Sequence, residues 1–226
     1  MNQNRTQSHF DNTYNVLYFG AEIDFRIIPK NCSSTLKVMW TELYNLPYQK
    51  TDSKNPHGYF PHAQTEFFRR KRFVDANGGM WRDNTLKFVV KRDPVERWLS
   101  AINFAIQMKE YGRYGEFLLD WLDKDITDIA RDQRTQGIDT IEQFGLTELY
   151  SQRWCGGDIE QYDHVFDIKE FDKCKALMEE ILQEDLPDIH ATVSKHKSKW
   201  KLSDLTEQTI SDIKVLYKKD YDYGWY

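Results

Sequence analysis

The sequence predicts an α/β protein with a mostly parallel central sheet, and three observations carry that prediction. Short β-branched and aromatic runs at 14–19, 25–28, 86–90 and 162–166 alternate with longer stretches of helical periodicity. Two of those runs, 25–28 and 86–90, pass through a short loop straight into a helix, which is the strand-loop-helix unit of α/β proteins. The 226 residues, 40% apolar and 15% aromatic, suffice for one buried core, so a single domain over 14–226 is expected behind a polar tail at 1–13.

In chain order, the runs 14–19 and 25–28 flank Gly20 as strands. The second leads into Pro29-Lys30-Asn31-Cys32-Ser33-Ser34-Thr35, after which Leu36, Val38, Met39, Trp40 and Leu43 have helical spacing. From 49 to 79 the chain is polar and punctuated by Pro56, Gly58 and Pro61, with one helix-like piece at 64–72, so a long loop carrying functional groups is expected. The strand 86–90 meets Asp93-Pro94-Val95-Glu96, where an N-cap acid, a proline at the first helical position and a capping-box glutamate fix a helix start. Val95, Trp98, Leu99, Ile102 and Ala105 continue that helix, and the pattern fades near Lys109. The acidic stretch 111–150 reads as a helical insertion or lid with pieces at 117–122, 126–129 and 141–144. A strand at 162–166, a helix at 171–183, a basic linker at 194–201 and a final helix at 205–219 complete the chain, without repeats or low-complexity segments.

A formal charge of −5 and a pI near 5.7 argue against a protein that coats nucleic acid and confine any anion site to a local cluster. The apolar runs are short and broken by charges, and the N-terminus lacks the apolar core of a signal peptide. No membrane span is expected, and a soluble, cytoplasmic location is. Cys32, Cys155 and Cys174 are an odd number at wide spacing, and the six histidines form no ligand motif. Reduced thiols and no metal are therefore expected.

Both strand-to-helix junctions offer orphan backbone N–H groups and the positive end of a helix dipole, which favour an anion. At the first, Lys30 precedes the hydroxyls of Ser33, Ser34 and Thr35 and suits a sulfonate or 5′-phosphate. The plainer alternative is a serine-capped helix beside a solvated lysine. At the second, Arg92 ends the strand and Ser100 lies about 10 Å along the helix at 1.5 Å per residue, within reach of a long arginine. One phosphate would fit between guanidinium and hydroxyl, with Arg97 available to pair with acids; an ordinary helix start with a surface arginine is the alternative.

Together the two segments resemble the signature pair of the PAPS-dependent sulfotransferases, in particular the carbohydrate-type branch. In that family a strand ending in Pro-Lys, then a small, hydroxyl-rich loop and a helix, binds the 5′-phosphosulfate. Here the segment reads Ile28-Pro29-Lys30-Asn31-Cys32-Ser33-Ser34-Thr35-Leu36. The family's 3′-phosphate motif, an apolar strand followed by R-D-P-x-x-R-x-x-S, is matched by Phe88-Val89-Val90-Lys91-Arg92-Asp93-Pro94-Val95-Glu96-Arg97-Trp98-Leu99-Ser100. Gln152 ahead of Tyr162-Asp163-His164-Val165, the Ser194-Lys195 loop and the tail from Leu216 to Tyr226 resemble that branch's closing segments, so the likeness runs from Phe25 to the C-terminus. One departure is Cys32, where the family often has glycine, so the loop must accept a side chain close to the ligand.

The resemblance implies a P-loop-NTPase-like, three-layer α/β/α fold and in-line transfer of a sulfonate from PAPS to an acceptor hydroxyl, leaving PAP and using no metal. It implies a carbohydrate as the acceptor class. It also implies that Lys30, Asn31, Cys32, Ser33, Ser34, Thr35, Arg92, Ser100, Ser194 and Lys195 contact the donor, with Lys30 stabilising charge on the leaving oxygen. The family's base falls between the two motifs; His62 is the choice here, with His57 and Glu66 as alternatives. Trp154 and Trp200 are candidates for stacking on adenine or a sugar, and Arg69-Arg70-Lys71-Arg72 for an anionic acceptor, each against the commoner reading as packing or solvated charge. Two rivals stand beside the enzyme. One is a non-catalytic relative that binds PAP or a glycan. The other is a P-loop nucleotide kinase, disfavoured because Lys30 opens its loop and no glycine lies in it.

Overall fold

A computed structural model describes residues 16–44, 81–110, 124–144, 149–189 and 198–226. In chain order its elements are β1 (Val16–Phe19), β2 (Ile23–Arg26), α1 (Ser33–Leu43), β3 (Leu86–Lys91), α2 (Pro94–Glu110), α3 (Ile126–Gln136), α4 (Ile138–Phe144), α5 (Gln152–Gly156), β4 (His164–Asp167), α6 (Phe171–Leu182), α7 (Glu207–Leu216) and α8 (Lys218–Asp222). They fall into two compact units. The first draws on the spans 1–28, 32–90 and 160–193, and the second on 29–31, 91–159 and 194–226.

The first unit holds a four-stranded sheet in the order β1-β2-β3-β4. β2 runs parallel to β3, with Phe25 opposite Phe88, but β1 runs antiparallel to β2, with Phe19 opposite Ile23. The sheet is thus mixed rather than mostly parallel. The cause is the three-residue turn between β1 and β2, far too short for the crossover that a parallel pair needs. Gly20 makes that turn at φ 58°, where a Cβ would meet the Glu22 carboxylate and come within 2.8 Å of Leu182.

β2 also begins and ends two residues earlier than the apolar run suggests, because the hairpin register places Ile23 to Arg26 on the ladder and leaves Ile27 and Ile28 beyond it. That register buries Asp24. Its carboxylate is met by Arg82, which donates from the backbone N–H and from Nε, both at 2.6 Å, while the same guanidinium bonds the carbonyls of Gly20 and Ile23. Leu17, Phe19, Phe25, Trp40, Phe88, Cys174 and Met178 pack into one core, and Trp40 Nε1 donates to the Tyr18 carbonyl. Burial pushes the Cys174 thiol up to about 12, which makes it an inert core residue.

The second unit is helical. α3 packs along α7, joined by an Arg134–Asp212 ion pair at 2.6 Å, and Trp98 of α2 reaches Gln133 of α3 through a 2.6 Å hydrogen bond. The helix expected over 205–219 breaks at Tyr217. That residue leaves helical geometry at φ −95°, ψ 25°, and its buried hydroxyl donates to the Leu149 carbonyl at 2.6 Å. The helical pieces expected at 126–129 and 141–144 are the longer α3 and α4, and α5 is a helix the periodicity did not predict. The piece at 117–122 and the loop at 49–79 lie outside the described residues. Among the described residues, no helix is long and apolar enough to cross a membrane.

Candidate functional site

The site is built within the second unit, from Pro29, Lys30 and Asn31 and from the start of α2. After Pro29 the backbone turns left-handed at Lys30 (φ 69°) and again at Cys32 (φ 52°), and α1 starts at Ser33. Cys32 is therefore the N-cap, in a conformation that favours glycine, and its side chain makes no capping hydrogen bond. Ser33 and Ser34 are half-buried and Thr35 is buried in the first unit. Lys30 and Asn31 belong to the second.

α2 starts as its sequence dictates: Asp93 Oδ1 accepts from the N–H groups of Val95 at 2.9 Å and Glu96 at 3.0 Å. Glu96 lies 3.7 Å from Arg92 Nε as an i,i+4 ion pair. Burial lowers the Arg92 pKa first, and Glu96 opposes that shift.

Within the second unit the two segments are tied together residue by residue. Arg97 Nε donates to the Pro29 carbonyl at 3.1 Å, and Arg92 Nη1 donates to the Lys30 carbonyl at 3.1 Å. Asn31 Nδ2 donates to Gln152 Oε1 at 2.7 Å. Gln152 is fully buried and closes the set: its Oε1 also accepts from the Arg92 N–H at 2.9 Å, and its Nε2 donates to the Arg92 carbonyl at 2.8 Å. Lys30 Nζ rests 3.7 Å from the centre of the Phe104 ring of α2, a cation–π contact.

Arg97 is no surface partner for acids. It is fully buried, and its guanidinium bonds two carbonyls, those of Pro29 and Tyr150. Behind Gln152 lies Asp220 of α8. Burial raises its pKa, while the Arg97 charge, the N–H groups of Arg153 and Gln152 and the Gln152 side chain pull it back. The Asp220 carbonyl in turn accepts from Trp225 at 2.8 Å and Tyr226 at 3.2 Å, so the C-terminal segment is anchored at the same point. Glu142, buried beside Ser151 and Lys219, also has its pKa raised by burial, against the lowering pull of those two partners. Lys219 is more exposed and shared with Asp139. Burial lowers its pKa, but the two carboxylates raise it further, so the pair favours the lysine's charge more than the glutamate's.

Lys30, Asn31 and Arg92 are thus brought together within the second unit. Ser100 stands half-buried two turns into α2, while Arg92 directs its hydrogen bond to Lys30 and its ion pair to Glu96. His62, its alternatives His57 and Glu66, Ser194, Lys195 and the 69–72 cluster lie outside the described residues. Trp154 is 37% exposed, and Trp200 exchanges two main-chain hydrogen bonds with the Asn103 side chain, at 2.9 and 3.0 Å. Among the described residues no group of His, Cys, Asp and Glu is arranged to hold a metal. None of the family models, curated proteins or solved structures compared with this chain matches it.

Proposed function

We propose that the chain is a PAPS-dependent sulfotransferase that moves a sulfonate onto a hydroxyl of a carbohydrate acceptor, working as a soluble cytoplasmic enzyme. The observation that carries this reading is the residue-by-residue tie of Pro29, Lys30 and Asn31 to Arg97, Arg92 and Gln152 respectively. A lysine loop and an arginine helix start tied together within the second unit suit a ligand with a phosphate at each end. Arg92 supports the fit, since its buried Nε has the Glu96 carboxylate at 3.7 Å, beyond hydrogen-bond distance, and a phosphate oxygen would supply a closer acceptor.

PAPS, when bound, supplies an activated sulfonate whose S–O bond to the 5′-phosphate breaks as the bond to the acceptor oxygen forms. Lys30 stabilises the negative charge that develops on the departing phosphate oxygen. Arg92 and Ser100 hold the 3′-phosphate, and His62 takes the proton of the acceptor hydroxyl. Ser194 and Lys195 add donor contacts.

The test is transfer from isotopically labelled PAPS to a panel of glycans, with Lys30→Ala as the comparison. Label appearing on a glycan with wild type, and falling at least about a hundredfold with the variant, supports the reading. PAP binding without any transfer across the panel would leave a non-catalytic binder in its place.

A further inference from the structure

Resting on that reading, we infer that Gln152 is the positioning residue of the donor site: it sets the distance between the Lys30 loop and Arg92, and so selects a ligand with two separated phosphates. The amide does this with three hydrogen bonds to two segments far apart in sequence. Its oxygen holds both the Asn31 side chain and the Arg92 N–H, and its nitrogen holds the Arg92 carbonyl. The main chain of Arg92 is therefore clamped on both sides of its Cα, which aims the guanidinium that would meet the second phosphate. Asp220 lies near the amide, and the Gln152 side chain helps to offset the rise that burial causes in the Asp220 pKa.

No other side chain reproduces the pattern at this buried position. Alanine removes all three bonds, and asparagine is one methylene short. Glutamate can reproduce the three bonds to Asn31 and Arg92 only while protonated, when it has one donor and one acceptor oxygen. Once ionised it presents negative charge to the Arg92 carbonyl and to Asp220. Burial and Asp220 favour the protonated form, whereas the Arg97 charge and the Asn31 and Arg92 N–H donors favour the ionised one. As at neighbouring Asp220, burial outweighs the opposing pull, so the change falls above the ordinary glutamate range.

The experiment titrates wild type, Gln152→Ala and Gln152→Glu with PAP and 5′-AMP from pH 5.5 to 8.5, reading affinity per folded molecule and checking fold by near-UV circular dichroism. A purely structural role would scale both ligands by the same folded fraction and leave the PAP to 5′-AMP ratio alone. The inference predicts that Gln152→Ala lowers this ratio at least about tenfold. It also predicts that Gln152→Glu keeps the ratio within about threefold of wild type at pH 5.5 and loses it, relative to wild type, by pH 8.5. Measuring each variant against wild type at the same pH cancels the titration of the ligand's own phosphates. If Gln152→Ala does not fold, the glutamate variant carries the test alone. A ratio unchanged to within about twofold in both variants at every pH overturns the role given to Gln152 while leaving the donor site in place. A wild type that does not distinguish PAP from 5′-AMP overturns the donor reading itself, whatever the variants do.

Discussion

Replacing Arg97 by lysine isolates what its guanidinium fork contributes. The side chain is fully buried and donates from Nε to Pro29 and from Nη1 to Tyr150. Arg97→Lys keeps the positive charge, so the cost of burying a cation and the attraction to Asp220 are common to both proteins. What changes is geometry: one ammonium on a straight stem cannot reach two carbonyls that a planar fork spans. One hydrogen bond from a charged donor is worth about 1.5–3 kcal/mol, and the carbonyl left behind is buried. The expected loss is therefore about 2–3 kcal/mol. With a urea m-value of about 2 kcal/mol/M, that lowers the unfolding midpoint by about 1 M without changing m. Where the released carbonyl is that of Pro29, the residue before Lys30, affinity for PAP falls in the same variant; where it is that of Tyr150, stability alone falls. A midpoint shift equivalent to less than about 0.5 kcal/mol would refute the reasoning, since that is the range of inconsequential surface substitutions.

Three further outcomes follow from particular contacts. Arg82→Ala keeps the backbone N–H bond to Asp24 but removes the guanidinium that neutralises this buried carboxylate at 2.6 Å, and should cost about 3–5 kcal/mol in chemical denaturation; an exposed-pair value below about 1 kcal/mol would contradict that. Cys32→Gly relieves a left-handed N-cap worth about 1–2 kcal/mol, less the roughly 0.4–1 kcal/mol of added freedom in the unfolded chain, so a thermal melt should show slight stabilisation. A clear loss would mean that thiol packing outweighs strain. For Glu142, whose pKa is raised above 4.5, the stability it contributes is fully present below that value and is lost as pH rises through the folded pKa. The stability of wild type relative to Glu142→Gln should thus decline as pH is raised from 4 toward neutrality; a rise over that window would reverse the assigned sign.

What was legible in the sequence is what local chemistry determines. The Asp93 cap, the proline at the first turn and the spacing from Val95 to Ala105 are all written within a few turns, and α2 begins where they place it. α1 and β3 follow from equally local patterns. Lys30 and Arg92 were identified because each sits at the end of an apolar run. The groups that join them were not. Gln152 drew notice only for its place in a family pattern, and its bonds to Arg92 cross 60 residues. Arg82 meets Asp24 across 58 residues, and neither residue type announces the other. β2 is displaced for the same reason: a buried aspartate reads as a strand breaker until its distant arginine is known. Tyr217 belongs to a smooth helical pattern, yet the bond from its hydroxyl to Leu149, 68 residues away, accompanies a break there.

The central claim is that the described site holds a nucleotide by phosphates at two ends, and calorimetric titration with PAP, 5′-AMP and ATP at fixed salt tests it most directly. The account predicts that PAP binds at least about tenfold more tightly than 5′-AMP and that Arg92→Ala removes most of this difference, in line with the loss of one charge-assisted phosphate contact. PAP binding no better than 5′-AMP, or ATP binding best and only with magnesium, would contradict it.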